Sequence, residues 1–252
     1  MVHFIGAGPG APDLITVRGQ KLLGEADAVI YAGSLVNPAL LEETKEGCRI
    51  YNSATMTLDE VIAVIREAEA AGQTTVRLHT GDPSIYGAIR EQMDRLDALG
   101  ISYDVTPGVS AFFGAAASLG LEYTLPTVSQ SVIITRMEGR TKVPARESIE
   151  SFAAHQATMV LFLSSGMIPE LVSRLTAGGY PADTPAAIVY RATWPDEKRI
   201  VTTLENLAEK AAEEGITKTA LIIVGRAVAQ SGYELSKLYD PGFSTEYRPA
   251  KQ

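Results

Sequence analysis

The chain has almost no cysteine. Cys48 stands alone, which rules out an intramolecular disulfide and a metal site built from thiolates. Histidine is scarce as well, and His3, His79 and His155 show no ligand spacing, so the sequence predicts no bound metal. No apolar run approaches the ~18 residues that a membrane-spanning helix needs, and no membrane partner is expected. The opening Met1-Val2-His3-Phe4 lacks the pattern of a secretory leader, so the expected compartment is the cytoplasm. Basic charge is in deficit: 22 Lys and Arg against 30 Asp and Glu give a net charge of −8. That disfavours nucleic acid, which calls for a basic footprint, although a local arginine cluster could still take an acidic small molecule. No Ser/His/Asp or Cys/His set stands out, so covalent nucleophilic hydrolysis has little support.

What is present is apolar sequence in short, ordered pieces. Hydrophobic residues make up 46% of the chain, enough to build the core of one large domain or two modest ones. Strands alternate with helical patterns through the first half: Val2–Ile5, a helix over Leu14–Glu25, Ala28–Tyr31, a strand near Arg49–Tyr51, a helix opened by Thr57 and Glu60 in a capping-box pattern, and Val76–Leu78. This alternation predicts a mainly parallel sheet. Residues 122–130, with Pro126 among them, read as a linker. Strands are denser beyond it, at Val132–Arg136, Met159–Leu163, Ala186–Tyr190, Arg199–Thr203 and Ala220–Val224, with helices at Glu147–Ala154, Ile168–Ala177 and Leu204–Glu214. The expectation is α/β: two α/β domains, residues 1–121 with a mainly parallel sheet and 122–252 with a mixed one, and a cleft between them.

The chain is organised around Val76-Arg77-Leu78-His79-Thr80-Gly81-Asp82-Pro83-Ser84-Ile85-Tyr86-Gly87. It reads as a buried strand entering a Gly-Asp-Pro turn, followed by a helix with Ile85, Ile89, Met93 and Leu96 on one face. Pro83 suits the first turn of such a helix and Asp82 its cap. Two interpretations are open: an ordinary capping turn, or a small-molecule site at the carboxyl end of a strand. Gly6-Ala7-Gly8-Pro9-Gly10-Ala11 matches the loose dinucleotide pattern G-x-G-x-x-G/A, so an NAD-dependent oxidoreductase has to be weighed. Against it, Pro9 and Pro12 delay the helix that should hold the pyrophosphate, and Tyr31-Ala32-Gly33 offers no acid for a ribose hydroxyl. Thr106-Pro107-Gly108-Val109-Ser110-Ala111 repeats the strand, Pro/Gly turn, hydroxyl and helix theme. Arg136, Arg140 and Lys142 form a basic cluster, either a solvated surface loop or a carboxylate-binding one.

Taken together and in order, Phe4-Ile5-Gly6-Ala7-Gly8-Pro9-Gly10, Thr80-Gly81-Asp82-Pro83, Pro107-Gly108-Val109-Ser110 and Ile222-Ile223-Val224-Gly225-Arg226 resemble the tetrapyrrole (corrin and sirohaem) methyltransferases. The resemblance spans nearly the whole chain. Tyr31-Ala32-Gly33-Ser34-Leu35-Val36, Thr193-Trp194-Pro195-Asp196 and Ser236-Lys237-Leu238-Tyr239-Asp240 look like the precorrin-4 C-11 methyltransferase branch, and the tail is closer to its cobalt-precorrin-4 members. The uroporphyrinogen methylases carry an aspartate where this chain has Ala32 and a lysine near Ala54, so their substrate and acid/base roles do not carry over.

The resemblance implies the tetrapyrrole methylase fold, with S-adenosyl-L-methionine as co-substrate in the inter-domain cleft, a tetrapyrrole substrate, and a homodimer. It places cofactor contacts at Pro9, Thr80, Gly81, Asp82, Ile85, Ser110, Ala111, Leu163, Tyr190, Arg191 and Ala192. Ser34, Met56, Tyr86, Arg136 and Arg140 are the candidates for holding the macrocycle, and no catalytic base is assigned. Rival expectations are an NAD oxidoreductase, a non-catalytic corrin-binding protein, and a methylase acting on RNA or protein.

Overall fold

The structure is a computed structural model and describes residues 1–251, apart from the side chain of Ser34. The chain divides into two compact units. The first comprises Met1–Ala115 together with Arg191–Glu197; the second comprises Ala116–Tyr190 and the chain from Lys198 onward. Among the described residues no helix is long and apolar enough to cross a membrane.

The first unit is built on a fully parallel sheet of order β3-β2-β4-β1-β5. Its strands are β1 (Val2–Gly6), β2 (Ala28–Tyr31), β3 (Arg49–Asn52), β4 (Thr75–His79) and β5 (Tyr103–Thr106). Side chains alternate across each strand, so Phe4 and Ile5 fall into different cores. On one face α1 (Val17–Glu25) packs Leu23 with Ile5, Val29, Val76 and Leu78. On the other, α2 (Leu58–Ala70) and α3 (Arg90–Leu99) set Val61, Ile62, Ile65 and Leu96 against Phe4 and Ile30. The neighbouring strands β1 and β4 thus lead to helices on opposite faces. Their carboxyl ends border a topological switch point, the place where open α/β sheets bind ligands.

Local signals explain most helix ends. The capping box at Thr57 and Glu60 is present, with Glu60 Oε2 accepting from Thr57 N at 2.6 Å. Gly100 ends α3 in the left-handed region, φ 66°. Four expected helix starts are corrected. The first helix begins at Val17, because Pro12–Leu14 forms a 3-10 turn and Thr16 is the cap. The helix after the Gly-Asp-Pro turn begins at Arg90 instead of Pro83. Tyr86 (φ 56°) and Ala88 (φ 49°) break the helical path, and Gly87 lies against the Pro83 carbonyl, where a Cβ would stand 2.1 Å away. Ile85 therefore lies in the turn, and Asp82 is no helix cap. The C-terminal starts also shift, to Ile149 and Leu207, after turns that precede them.

The second unit has a mixed sheet of order β6-β7-β10-β8-β9, from β6 (Val132–Arg136), β7 (Thr158–Phe162), β8 (Pro185–Tyr190), β9 (Lys198–Thr203) and β10 (Ala220–Val224). Only β6 and β7 pair in parallel; β8 and β9 form the expected antiparallel pair. Its core gathers Met159, Leu161 and Ile222 with Ile149 of α5 (Ile149–Ala153), Leu171 and Leu175 of α6 (Ile168–Ala177), and Leu207 of α7 (Leu207–Glu213). Arg174 clamps Glu150 through two hydrogen bonds of 2.6 and 2.9 Å, joining α6 to α5. That bidentate partner holds the Glu150 carboxyl down at about 2.

Strand β4 departs from the apolar run usual in a parallel sheet. Arg77 is buried, donating to Gln92 Oε1 and the Ile30 carbonyl, both at 2.8 Å. His79 is 3% exposed, lies 6.0 Å from the Phe4 ring centroid, and its Nε2 has no hydrogen-bond partner. Burial, reinforced by the Arg77 charge, lowers the His79 imidazole to about 3. The unfolded chain therefore takes up a proton between pH 6.5 and 3 that the folded chain refuses. This group's contribution is complete above pH 6.5 and is lost progressively as pH falls toward 3. His79→Phe should consequently lose less stability than wild type between pH 7.5 and 5, by about 2 kcal/mol for the ~1.5 units crossed. Urea unfolding at the two pH values measures this, and parallel losses would contradict it.

Candidate functional site

Three turns at the carboxyl ends of β1, β4 and β5 meet backbone to backbone. Gly8 and Gly81 form an antiparallel bridge, Gly8 N donating to the Gly81 carbonyl at 3.2 Å and Gly81 N to the Gly8 carbonyl at 2.9 Å. A Cβ on Gly6 would stand 2.5 Å from the Gly81 oxygen and 2.6 Å from Gly108 Cα; one on Gly108 would stand 2.2 Å from that same oxygen. Gly81 itself has φ 61° and faces Ser110 and the Ala111 amide at 3.3–3.4 Å from a built Cβ. Glycine is required here because the turns occupy each other's side-chain space.

Asp82 fastens this cluster. Its Oδ2 accepts from Gly108 N at 2.8 Å and its Oδ1 accepts from Ser84 N at 2.8 Å and from the Ser84 hydroxyl. Partial burial alone would raise the carboxyl; the bonds from Ser84 and Gly108 outweigh it, and the net shift is downward. An ionised carboxylate thus joins the β4 turn to the β5 turn.

The Pro9–Ala11 loop is held from several sides. Asn37 Nδ2 donates to the Gly10 carbonyl at 2.9 Å. Gly114 of α4 (Ala111–Leu119) lies against Pro9, where a Cβ would meet Pro9 Cβ at 2.7 Å. The segment Arg191–Glu197, which connects β8 to β9 in the chain, belongs to the first unit and covers the same loop. Thr193 Oγ1 accepts from Ala11 N at 2.9 Å, and the Trp194 indole occupies the space a Gly10 Cβ would take. Asn37, Thr193 and Trp194 carry no sequence signal for this role, since each acts on a loop distant in the chain.

Of the other sequence-picked residues in this unit, Thr80 and Ile85 are half-buried around the Asp82 turn, and Ala192 is buried. Met56 packs against the α2/α3 core, and Tyr86 is exposed. Ser34 has its side chain outside the described residues. In the second unit, Arg136, Arg140, Leu163 and Tyr190 sit at or beyond strand ends. Arg136 pairs in register with Phe162, and Met137 N donates to Ser164 Oγ at 2.9 Å, so the loops after β6 and β7 adjoin. The Arg136 guanidinium donates to the carbonyls of Met137, Thr141 and Lys142 at 3.1–3.2 Å and so organises its own loop, while Arg140 is exposed upon it. Tyr190 packs on the second core.

Backbone strain singles out the same loops. Tyr86, Ala88, Leu163, Arg191 and Thr193 are five of the nine non-glycine residues with positive φ among those described. Such conformations cost of order 1–3 kcal/mol each and gather where ligands are held. Leu163 is also 66% exposed at the end of β7. The dinucleotide alternative fits poorly: the Gly8 amide is bonded to Gly81, and α1 begins only at Val17, capped by Thr16. Among the described residues no group of three His, Cys, Asp or Glu could hold a metal ion.

Residues 1–208 match the family described as Tetrapyrrole (Corrin/Porphyrin) Methylases. The chain belongs to that family. A cobalt-precorrin-4 C(11)-methyltransferase of Methanocaldococcus jannaschii is 55% identical over 247 residues, 98% of this chain and 95% of the relative. A solved cobalt precorrin-4 methyltransferase superimposes with TM-score 0.88 at 44% identity, covering 90% of this chain and 95% of that one. A uroporphyrin-III C-methyl transferase from Thermus thermophilus, solved in complex with S-adenyl homocysteine, gives TM-score 0.77 at 28% identity, with 92% and 95% covered.

In this tetrapyrrole methylase the Asp82 carboxylate should be needed to keep the turns together. Asp82→Ala leaves the Gly108 amide without its acceptor and should lower the unfolding free energy by about 1–3 kcal/mol, with Asp82→Asn losing less. Denaturant titration of both variants checks this; an unchanged Asp82→Ala midpoint would contradict it.

Proposed function

We propose that the chain transfers a methyl group from S-adenosyl-L-methionine to C-11 of precorrin-4 or its cobalt form, in cobalamin biosynthesis. The observation that carries this reading is the 55% identity, over nearly the full length of both chains, to an enzyme of that name. The converging turns fit the donor. They offer small residues and one carboxylate, with lone pairs beyond those engaged by Ser84 and Gly108, and the turn after β4 carries strained backbone at Tyr86 and Ala88.

When bound, the donor supplies a methyl carbon on a sulfonium, which is already electrophilic. The protein's part is then proximity and orientation. Gly81, Ser110 and Ala111 would give the donor a rigid backbone floor, with Asp82 and Thr80 as polar contacts and Pro9, Ile85 and Ala192 as apolar ones. Leu163, Tyr190 and Arg191 complete the proposed donor set.

The macrocycle carries several carboxylates, for which Arg136 and Arg140 remain the proposed anchors, with Ser34, Met56 and Tyr86 against the ring. The loop at Ala32 supports the choice of substrate. Ala32 N donates to the Leu78 carbonyl at 2.9 Å, and a Cβ on neighbouring Gly33 would lie 3.1 Å from the Ala54 Cβ. Two uncharged loops therefore meet where the resemblance places an aspartate and a lysine in uroporphyrinogen methylases. We read the protein as a cytoplasmic homodimer, the compartment resting on its likeness to biosynthetic methyltransferases and the dimer on the family resemblance.

The test is incubation with labelled S-adenosyl-L-methionine and precorrin-4, with and without cobalt, and NMR of the product. Label at C-11 is expected. Label at another ring carbon would overturn the assigned position, and no incorporation together with NADH binding would overturn the reaction class.

A further inference from the structure

The chain's only tryptophan sits where neither the fold nor the hairpin it interrupts needs one. Tyr190 pairs with Lys198 in register, so Arg191–Glu197 is the entire connection between β8 and β9. A hairpin closed only for its own sake favours a two-residue turn with glycine or asparagine in the left-handed positions. This connection instead carries Arg191 at φ 47° and Thr193 at φ 69°. The second is a branched residue in a conformation it rarely adopts.

The strain is held by contacts inside the segment. The Arg191 guanidinium lies over the Trp194 ring at 4.1 Å from the centroid and pairs with Asp196 Oδ2 at 2.5 Å. Thr193 N donates to Glu197 Oε2 at 2.6 Å, and Trp194 N donates to the Arg191 carbonyl at 3.0 Å. The result is a self-locked strap that presses on the Pro9–Ala11 loop. A Cβ on Gly10 would stand 2.2 Å from Trp194 Cδ1, 2.3 Å from Nε1 and 2.9 Å from the Ala192 carbonyl. The indole therefore lies directly on the Gly10 backbone, and Thr193 Oγ1 takes the next amide, that of Ala11. Between Gly8, bridged to Gly81, and Ala11, bonded to the strap, Pro9 has little freedom to move.

We propose that Trp194 is a positioning residue for methyl transfer: held by Arg191, it fixes the Pro9–Ala11 loop, through Gly10, in the place the donor requires. The proposal rests on the donor-site reading given above. It assigns to Trp194 no contact with the reacting atoms. It also makes the indole a reporter, because all tryptophan emission from this chain comes from the strap.

The experiment uses the full chain with S-adenosylhomocysteine as probe. Tryptophan emission of the wild type should shift on titration, with the same midpoint as a calorimetric binding curve. Trp194→Ala should bind the probe at least tenfold more weakly and lower kcat, with KM for the tetrapyrrole within about twofold of wild type. Trp194→Phe, which keeps a flat ring over Gly10 and under Arg191, should recover binding to within about threefold. Thermal unfolding of both variants separates positioning from folding, because a purely structural role would make affinity follow the melting temperature in each. Unchanged affinity in Trp194→Ala, or equal losses in the Ala and Phe variants, would overturn the proposal while leaving the donor site standing. A wild-type chain that binds no S-adenosylhomocysteine would overturn both.

Discussion

The geometry of the first unit depends on how closely three backbone turns approach one another. Gly6 and Gly108 leave room for carbonyl and α-carbon contacts that a Cβ would forbid, Gly81 takes a left-handed φ of 61°, and paired hydrogen bonds join Gly8 to Gly81 as an isolated antiparallel bridge. Polar backbone groups brought together away from water must find partners; here they find each other and the Asp82 carboxylate. The strand order places this cluster at the switch point between β1 and β4. Fold topology and local glycine chemistry thus select the same place.

A second constraint lies beneath it. Arg77 and His79 occupy positions on β4 that a parallel sheet normally fills with aliphatic residues. The arginine is satisfied by two neutral acceptors, Gln92 and the Ile30 carbonyl, with no carboxylate among its hydrogen-bond partners. Desolvation brings its guanidinium down to about 10, still charged at neutral pH, and the neighbouring imidazole answers by remaining neutral. A buried cation without a counter-ion is a costly feature, tolerated at the strand that delivers Gly81 and Asp82 to the site.

The sequence was most legible where one periodicity acts alone. The bounds of β2, β6, β10 and α6 are the expected ones; β10 is a wholly buried run followed by Gly225, and α6 an amphipathic one followed by Gly178. It was least legible where a turn residue had two roles. Asp82-Pro83 looks like a helix start, yet the carboxylate reaches across to Gly108, and the chain takes a strained path through Tyr86 and Ala88 before α3 begins. The glycine turns were visible as motifs, but their mutual contact was not, since nothing in a G-x-G pattern says whether its amides face a ligand or another turn. The 191–197 segment was likewise visible as a motif, while the contacts of Thr193 and Trp194 with Ala11 and Gly10, far away in the chain, were not.

The central claim is that the turns after β1, β4 and β5 act as one donor-binding unit. Hydrogen–deuterium exchange with and without S-adenosylhomocysteine tests it most directly. The account predicts that residues 6–11, 80–86 and 107–112 gain protection together on binding, along with 191–197. Protection confined to one of these turns, or gained only elsewhere in the chain, would contradict it.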